Sequence, residues 1–256
     1  MNASEEVLLG GFIAGRVVKV GGTVRRAAGA WTPTIQALLA HLERKGFPAP
    51  RPLGLDSAGR EVVSWLPGRA SNWPWPPALL DEGGARQVGA LLAAYHAVVA
   101  DFVPPSPAVW RHGPQALGAG EIVLHGDFLP HNLIWSDDAL TGVIDFELAR
   151  PGQGADDAGF AAIRAAQLRP DEMTRPVGFE SPPDRRARLD AFAAGYGASR
   201  SVLMAAALIA QASEIDRIER RGAAGIEPWA TLRRRGLGAQ ARAELVWLEA
   251  NAATLV

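Results

Sequence analysis

Cysteine is missing from all 256 residues. Its absence excludes a disulfide framework, thiolate catalysis and cysteine-ligated zinc, fits a reducing compartment, and leaves any metal to oxygen or imidazole ligands. Charge of one sign is missing too. The 26 Lys plus Arg against 27 Asp plus Glu leave a net charge of −1, so there is no field to hold nucleic acid or an anionic membrane. The amino terminus MNASEEVLLGG carries glutamates where a secretion signal carries a basic region, and no apolar run reaches the roughly 18 residues of a membrane span. A soluble, cytoplasmic protein is expected. No internal repeat and no long low-complexity tract appears.

What is present changes character along the chain. EVLLGG, GRVVKVGG and TVRRAA are short apolar or alternating runs ending at glycines, which predicts a small antiparallel sheet turning at Gly10-Gly11 and Gly21-Gly22. WTPTIQALLAHLERKG predicts a helix, with Thr32 as cap, Pro33 at the first position, a stripe of Ile35, Leu38, Leu39 and Leu42, and Gly46 as stop. GREVVSWLPG reads as a further strand, and the prolines of SNWPWPP forbid a regular element. Beyond it ALLDEGGARQVGALLAAYHAVVADF, RARLDAFAAGYG, RSVLMAAALIAQASEIDRIER and AQARAELVWLEANAATL have helical spacing. The expected fold is α+β in two lobes: residues 1–67 β-rich with one helix, residues 68–256 mainly helical.

Residues 121–146, EIVLHGDFLPHNLIWSDDALTGVIDF, break the helical pattern with two strand-like runs. If residues 132–135 and 142–145 pair around SDDALT so that Trp135 opposes Gly142, then Asn132 opposes Asp145, with β-carbons roughly 5 Å apart. One amide and one carboxylate so placed suit Mg²⁺, which takes oxygen ligands at about 2.1 Å, few of them from protein and the rest from water and phosphate. Asp127 sits on the connecting loop, where Pro130 prevents a continuing helix.

His125-Gly126-Asp127, then Asn132, then Ile144-Asp145-Phe146-Glu147 resemble the catalytic core of the aminoglycoside phosphotransferase and choline kinase-like family, whose architecture is that of protein kinases. The resemblance implies that Asp127 accepts or orients the proton of a substrate hydroxyl, that Asn132 and Asp145 hold Mg²⁺, that His125 braces the loop, and that Asp157 of GADDAGF supports it. It makes Arg25, in TVRR, the basic residue that meets the nucleotide phosphates, with Arg26 turned to the other face. Ser64, Trp65 and Leu66 then meet the purine edge, and Gly10 and Gly11 offer a phosphate loop without a full G-x-G-x-x-G. The helix acid that pairs with the basic residue in that family is missing. Gln36 or a shifted Glu43 is left for the role.

The implied activity is transfer of the γ-phosphate of ATP or GTP, with Mg²⁺, to a hydroxyl of a small molecule, with no nucleic-acid or membrane partner. A second reading is a nucleotide-binding or toxin-immunity module that keeps the fold with little catalysis. A protein kinase ranks third, because the motif is HGD and no A-P-E segment follows Asp145. Other side chains have ordinary readings beside functional ones. His96 reads as core and His131 has no assigned role. Trp73 and Trp75 could stack on a ligand or clamp the linker. Asp184, Asp190, Glu214, Asp216 and Glu219 could meet a cationic substrate or form polar helix surface.

Overall fold

A computed structural model describes residues 5–8, 17–71 and 74–256. The first sheet is antiparallel, in the order β1 (Glu5–Val7), β2 (Val18–Val20), β3 (Thr23–Arg26), β5 (Glu61–Ser64), β4 (Pro52–Leu55). Val20 pairs with Thr23 across Gly21-Gly22, and Gly21 takes φ +57°, so the second expected turn is present. Gly10 and Gly11 lie outside the described residues.

Helix α1 (Thr32–Arg44) buries Ile35, Leu38, Leu39 and Leu42, the stripe its spacing predicts, and ends at Gly46 with φ +70°. Each such side chain contributes about 1.5–3 kcal/mol by leaving water. Thr32 is not the cap. Trp31 occupies that place, and the Thr32 hydroxyl instead accepts the Gly29 N–H.

Over residues 65–68 the chain leaves the first sheet. It then joins a second sheet as β6 (Arg69–Ala70), which pairs with β10 (Leu133–Ser136) of the β10–β11 hairpin (β11, Ala139–Val143). The rest is mostly helical: α2 (Pro77–Leu80), α3 (Glu82–Val99), α4 (Gly154–Ala165), α5 (Arg185–Tyr196), α6 (Arg200–Ala223), α7 (Trp229–Arg234) and α8 (Leu237–Leu255). Two small ribbons complete it, β7 (Val109–Trp110) with β8 (Gly113–Pro114), and β9 (Ile122–Leu124) with β12 (Arg150–Gly152). No single helix among the described residues is long and apolar enough to cross a membrane.

The long apolar run expected as one helix is two, because Asp81 ends α2 and caps α3 by accepting the Gly84 N–H. Glycines inside the helical runs have a packing reason. A β-carbon on Gly89 of α3 would stand 2.4 Å from the Phe192 carbonyl oxygen of α5, so only glycine lets these helices approach so closely. Arg188 of α5, 1% exposed, donates to the Leu79, Leu80 and Ala165 carbonyls and so satisfies helix ends that burial would otherwise orphan. Trp75 clamps the proline-rich linker, its ring edge-on to Phe179. One buried core joins α1 to α3, with Phe47 against Tyr95 and His41 Nε2 donating to the Val98 carbonyl.

Candidate active site

The hairpin that carries the central residues is shifted from its expected register. Leu133 opposes Val143 and Ile134 opposes Gly142, with an irregularity before Trp135 and Leu140. Asn132 therefore pairs with Ile144, whose N–H it accepts at 2.9 Å, and not with Asp145. The physical reason is the tight turn. Ser136 pairs with Ala139 across Asp137-Asp138, Asp137 takes φ +50°, and the extra residue is absorbed as a bulge where the Thr141 hydroxyl bonds the Ile134 carbonyl.

Asp145 follows in a left-handed conformation, φ 68° and ψ 65°. For a residue with a β-carbon this costs about 1–3 kcal/mol and persists only where its surroundings enforce it. Here β11 holds one side and a 3-10 turn, Phe146–Leu148, the other.

The loop from β9 is fixed by a buried carboxylate. Asp157, in the first turn of α4 and nearly inaccessible, accepts the His125 N–H at 2.6 Å and the Gly126 N–H at 3.1 Å. Gly126 takes φ +78°, and a β-carbon there would lie 2.1 Å from the Leu148 carbonyl oxygen, so glycine is required twice over. His125 is fully buried between Phe128 and Phe146. Its Nδ1 accepts the Asp127 N–H, so Nε2 carries the proton and donates to the Ile144 carbonyl, tying loop to hairpin. Burial holds this imidazole below its usual pKa, and the neutral ring is the form those bonds need.

Asp127 is 20% exposed. Its Oδ2 accepts from Asn132 Nδ2 at 2.8 Å and faces His131 Nε2 at 3.4 Å, while Asn132 Nδ2 also donates to the Asp127 carbonyl. Burial works against its charge, yet His131, His125 and Asn132 outweigh it and hold the carboxyl below the ordinary range. Because the amide nitrogen of Asn132 is turned to Asp127, its Oδ1 is left to serve as a ligand.

Across the cleft the strand reads differently from expectation. Arg26, not Arg25, faces it. Arg26 lies on the same side of β3 as Val24, and both line the cavity, whereas Arg25 reaches Asp56 at 3.5 Å. Strand alternation decides this, since the apolar Val24 marks the inner face. Arg26 Nη1 meets Asp145 Oδ1 at 3.0 Å, and its Nε meets Glu61 at 2.7 Å and Glu147 at 3.2 Å. Burial disfavours its charge, but Asp145, Glu147 and Glu61 together raise its pKa above the ordinary arginine value.

The acid that the helix lacks stands on the sheet. Glu61, opposite Arg26 in the β3–β5 ladder and fully buried, also accepts from Gln36 Nε2 of α1 at 2.8 Å. Glu43 is exposed. Glu147 is shared between Arg26 and Arg111, whose guanidinium lies over the Trp31 ring at 4.4 Å.

A cavity of about 660 Å³ contains Arg26, Ser64, Trp65, Leu66, Asp127, Asn132 and Asp145 in its lining, with His125 and Asp157 behind the wall. The structure thus brings together Asp127, Asn132, Asp145, Ser64, Trp65 and Leu66, and leaves Arg25 aside. Sequence reasoning passed over Arg26, Glu61, Glu147, Arg111 and His131. Only the parity of Arg26 with Val24 and the acid directly after Asp145-Phe146 signalled two of them. Among the described residues no cluster of three or more His, Asp or Glu forms a metal cage. One carboxylate and one amide oxygen fit instead the sparse oxygen set of a cation that keeps water and phosphate ligands.

A strand-rich first part, a mainly helical second part and an Asp-loop-Asn-Asp site in the cleft define a kinase-like protein. The description of the phosphotransferase enzyme family matches residues 106–201. Trifolitoxin immunity protein from Rhizobium leguminosarum bv. trifolii is 33% identical over 203 residues, 77% of this chain and 76% of that protein. Among solved structures, an amicoumacin kinase in complex with AMP-PNP, Ca²⁺ and Ami has a TM-score of 0.62 at 12% identity, covering 96% of this chain and 87% of that one. A microcompartment-associated aminopropanol kinase scores 0.60 at 15% identity, covering 99% and 94%. A choline/ethanolamine kinase family protein from Mesorhizobium loti scores 0.56 at 14% identity, covering 96% and 91%. The chain belongs to the phosphotransferase enzyme family, and its fold is kinase-like.

Proposed function

We propose that this protein transfers the γ-phosphate of ATP or GTP to a hydroxyl of a small molecule in the cytoplasm, with residues 1–67 as the nucleotide lobe and residues 68–256 supplying loop and acceptor site. The observation that carries this reading is Asp127 beside Asn132, facing Asp145 and Arg26 in one cleft.

Phosphoryl transfer asks a protein mainly to position reactants and neutralise charge. Asp127, kept ionised, orients the acceptor hydroxyl and takes its proton late, as that oxygen acidifies. The Asn132 amide fixes the Asp127 carboxylate from one side. Arg26 offers the phosphate oxygens a planar donor fork, held by Glu61 and Glu147. Asn132 Oδ1 and the Asp145 carboxylate would hold Mg²⁺, which supplies charge neutralisation between the phosphates when bound. His125 and Asp157 keep the loop in place. Trp65 N–H is already committed to the Gly22 carbonyl, whereas Leu66 N–H has no partner among the described residues, which suits it to a purine edge. Arg25 is given no part, and Gly10 and Gly11 remain candidates for the phosphate loop.

A second reading, immunity by binding with little transfer, is favoured by the likeness to trifolitoxin immunity protein. Both are tested by incubating a panel of small alcohols with ATP or GTP and Mg²⁺ and weighing the products. Phosphorylated product that disappears in Asp127→Asn, with Mg-nucleotide affinity retained, supports transfer. Equal product from that variant defeats the mechanism, and no product with any acceptor leaves the binding module standing.

A further inference from the structure

The far end of the cavity, away from Arg26, is basic where a site for polyamine antibiotics would need acid. Arg150 at the start of β12, Arg164 of α4 and Arg217 of α6 line it, against two carboxylates, Glu214 and Glu244. Both acids are already taken: Glu214 meets Arg217 at 2.8 Å, and Glu244, 1% exposed, meets Arg164 at 2.8 Å and Arg169 at 3.7 Å. Arg150 has no carboxylate within 4 Å among the described residues, and its one hydrogen bond is a long one to the Pro151 carbonyl. Arg221 likewise has no acid, donating to the His112 carbonyl with its guanidinium 4.8 Å from the Trp229 ring. The other acids once open to a cationic ligand are spent elsewhere, with Asp184 capping α5 and Asp190, Asp216 and Glu219 in surface pairs.

Resting on the phosphotransfer reading, we propose that the acceptor is an organic anion, a hydroxylated molecule whose carboxylate is bound by Arg150 with Arg217 and whose apolar body lies against Ile218, Trp229 and Leu232. Those three side chains line the same end of the cavity. A guanidinium with no carboxylate in contact, in a partly desolvated pocket, repels a cation and gains a charge-assisted, bidentate partner from a carboxylate. His112 records the field: burial, then Arg150, Arg221 and Arg217, push its pKa down to about 3. Asp157, Asp156 and Glu214 temper the charge of Arg150 from beyond contact distance, and none of them pairs with its guanidinium among the described residues.

The test reads binding, so that it does not depend on turnover. Calorimetry on the full chain compares 4-(hydroxymethyl)benzoate, its carboxamide and 4-(aminomethyl)benzyl alcohol, and the matching triplet 6-hydroxyhexanoate, its amide and 6-aminohexanol. At least one carboxylate should bind ~10-fold or more tighter than its carboxamide, with the amine weakest. Arg150→Gln should abolish that preference while leaving carboxamide binding in place, and the wild-type triplet decides the matter if the variant does not fold. The proposal is overturned if no carboxylate binds, if the amine binds as tightly, or if Arg150→Gln weakens acid and amide alike. It is also overturned if that variant weakens Mg-AMP-PNP as much as the carboxylate, which would give the arginines to the nucleotide. Carboxylate bound without any phosphorylated product would leave this site standing and sink the transfer reading instead.

Discussion

Arg26 Nη1 stands 3.0 Å from Asp145 Oδ1, a contact between residues 119 positions apart in the chain. It joins the first sheet to the hairpin across the cleft and puts the guanidinium at the carboxylate proposed to hold the metal. Arg26→Ala should lower kcat/KM by ~100-fold or more, since it removes the partly buried donor proposed to meet the phosphates. Arg25→Ala, whose partner is Asp56 outside the cavity, should change it by less than about 3-fold, as partly exposed pairs contribute little. Asp145→Asn should weaken nucleotide binding only when divalent metal is present. Steady-state kinetics and nucleotide titration with and without Mg²⁺ check all three, and equal losses for Arg25 and Arg26 would reverse the strand assignment.

Gln36 makes a prediction contrary to family resemblance. Restoring a helix acid as Gln36→Glu would set a second carboxylate 2.8 Å from the buried Glu61 oxygen and remove the amide donor. Two carboxylates at that distance cannot both ionise without cost, so one takes a proton and the pair weakens its hold on Arg26. Thermal stability and kcat/KM should both fall. A gain in either would show that Glu61 is not the partner acid.

The Asp127 carboxyl is held below its usual range, burial being outweighed by His131, His125 and Asn132. It therefore stays ionised as pH falls through the ordinary carboxylate range near ~4, and the acid limb of kcat/KM should lie below that value. His131→Ala removes a partner that favours the charged form, so the limb should move upward in pH. A pH–rate profile of wild type and variant measures the shift, and a limb that does not move would detach His131 from Asp127.

Asp157 carries a stability effect with the same sign. Burial raises its pKa, but His96, His125 and Arg150 prevail, and the folded value is depressed. A depressed carboxylate contributes stability that is complete above its unfolded pKa of ~3.9 and is lost as pH falls through the lower folded value. Asp157→Ala should cost about 3–5 kcal/mol at pH 7, because two backbone N–H groups lose their charged acceptor. Chemical denaturation from pH 7 to 3 should show both proteins losing stability at the acid end, and the variant losing less of it than wild type, since Asp127 and Glu244 are depressed as well.

Much of the helical part was legible. The stripe of α1 and the runs that became α3, α5, α6 and α8 follow a period that water and burial impose locally. The HGD block, Asn132 and Asp145 were legible because so specific a polar pattern has no use in a buried hairpin. Arg25 against Arg26 was not, since neighbouring arginines on one strand differ only in which face meets the core, and Glu61 could not be matched to Arg26 before the β3–β5 pairing was known. The hairpin register failed for a related reason: a two-residue turn and a bulge shift the partners by two positions near the turn and by one beyond the bulge, without changing which residues are apolar.

Sequence alone determined the kinds of element, the loop that carries Asp127 and the chemical types around it, because periodicity, turn residues and short motifs are local. Tertiary structure alone decided that Glu61 of the sheet meets both Arg26 and Gln36, that Arg26 meets Asp145, and that Arg150 has no carboxylate in contact among the described residues. Charge pairing across the cleft depends on which distant side chains share a buried space, and no window along the chain contains that information.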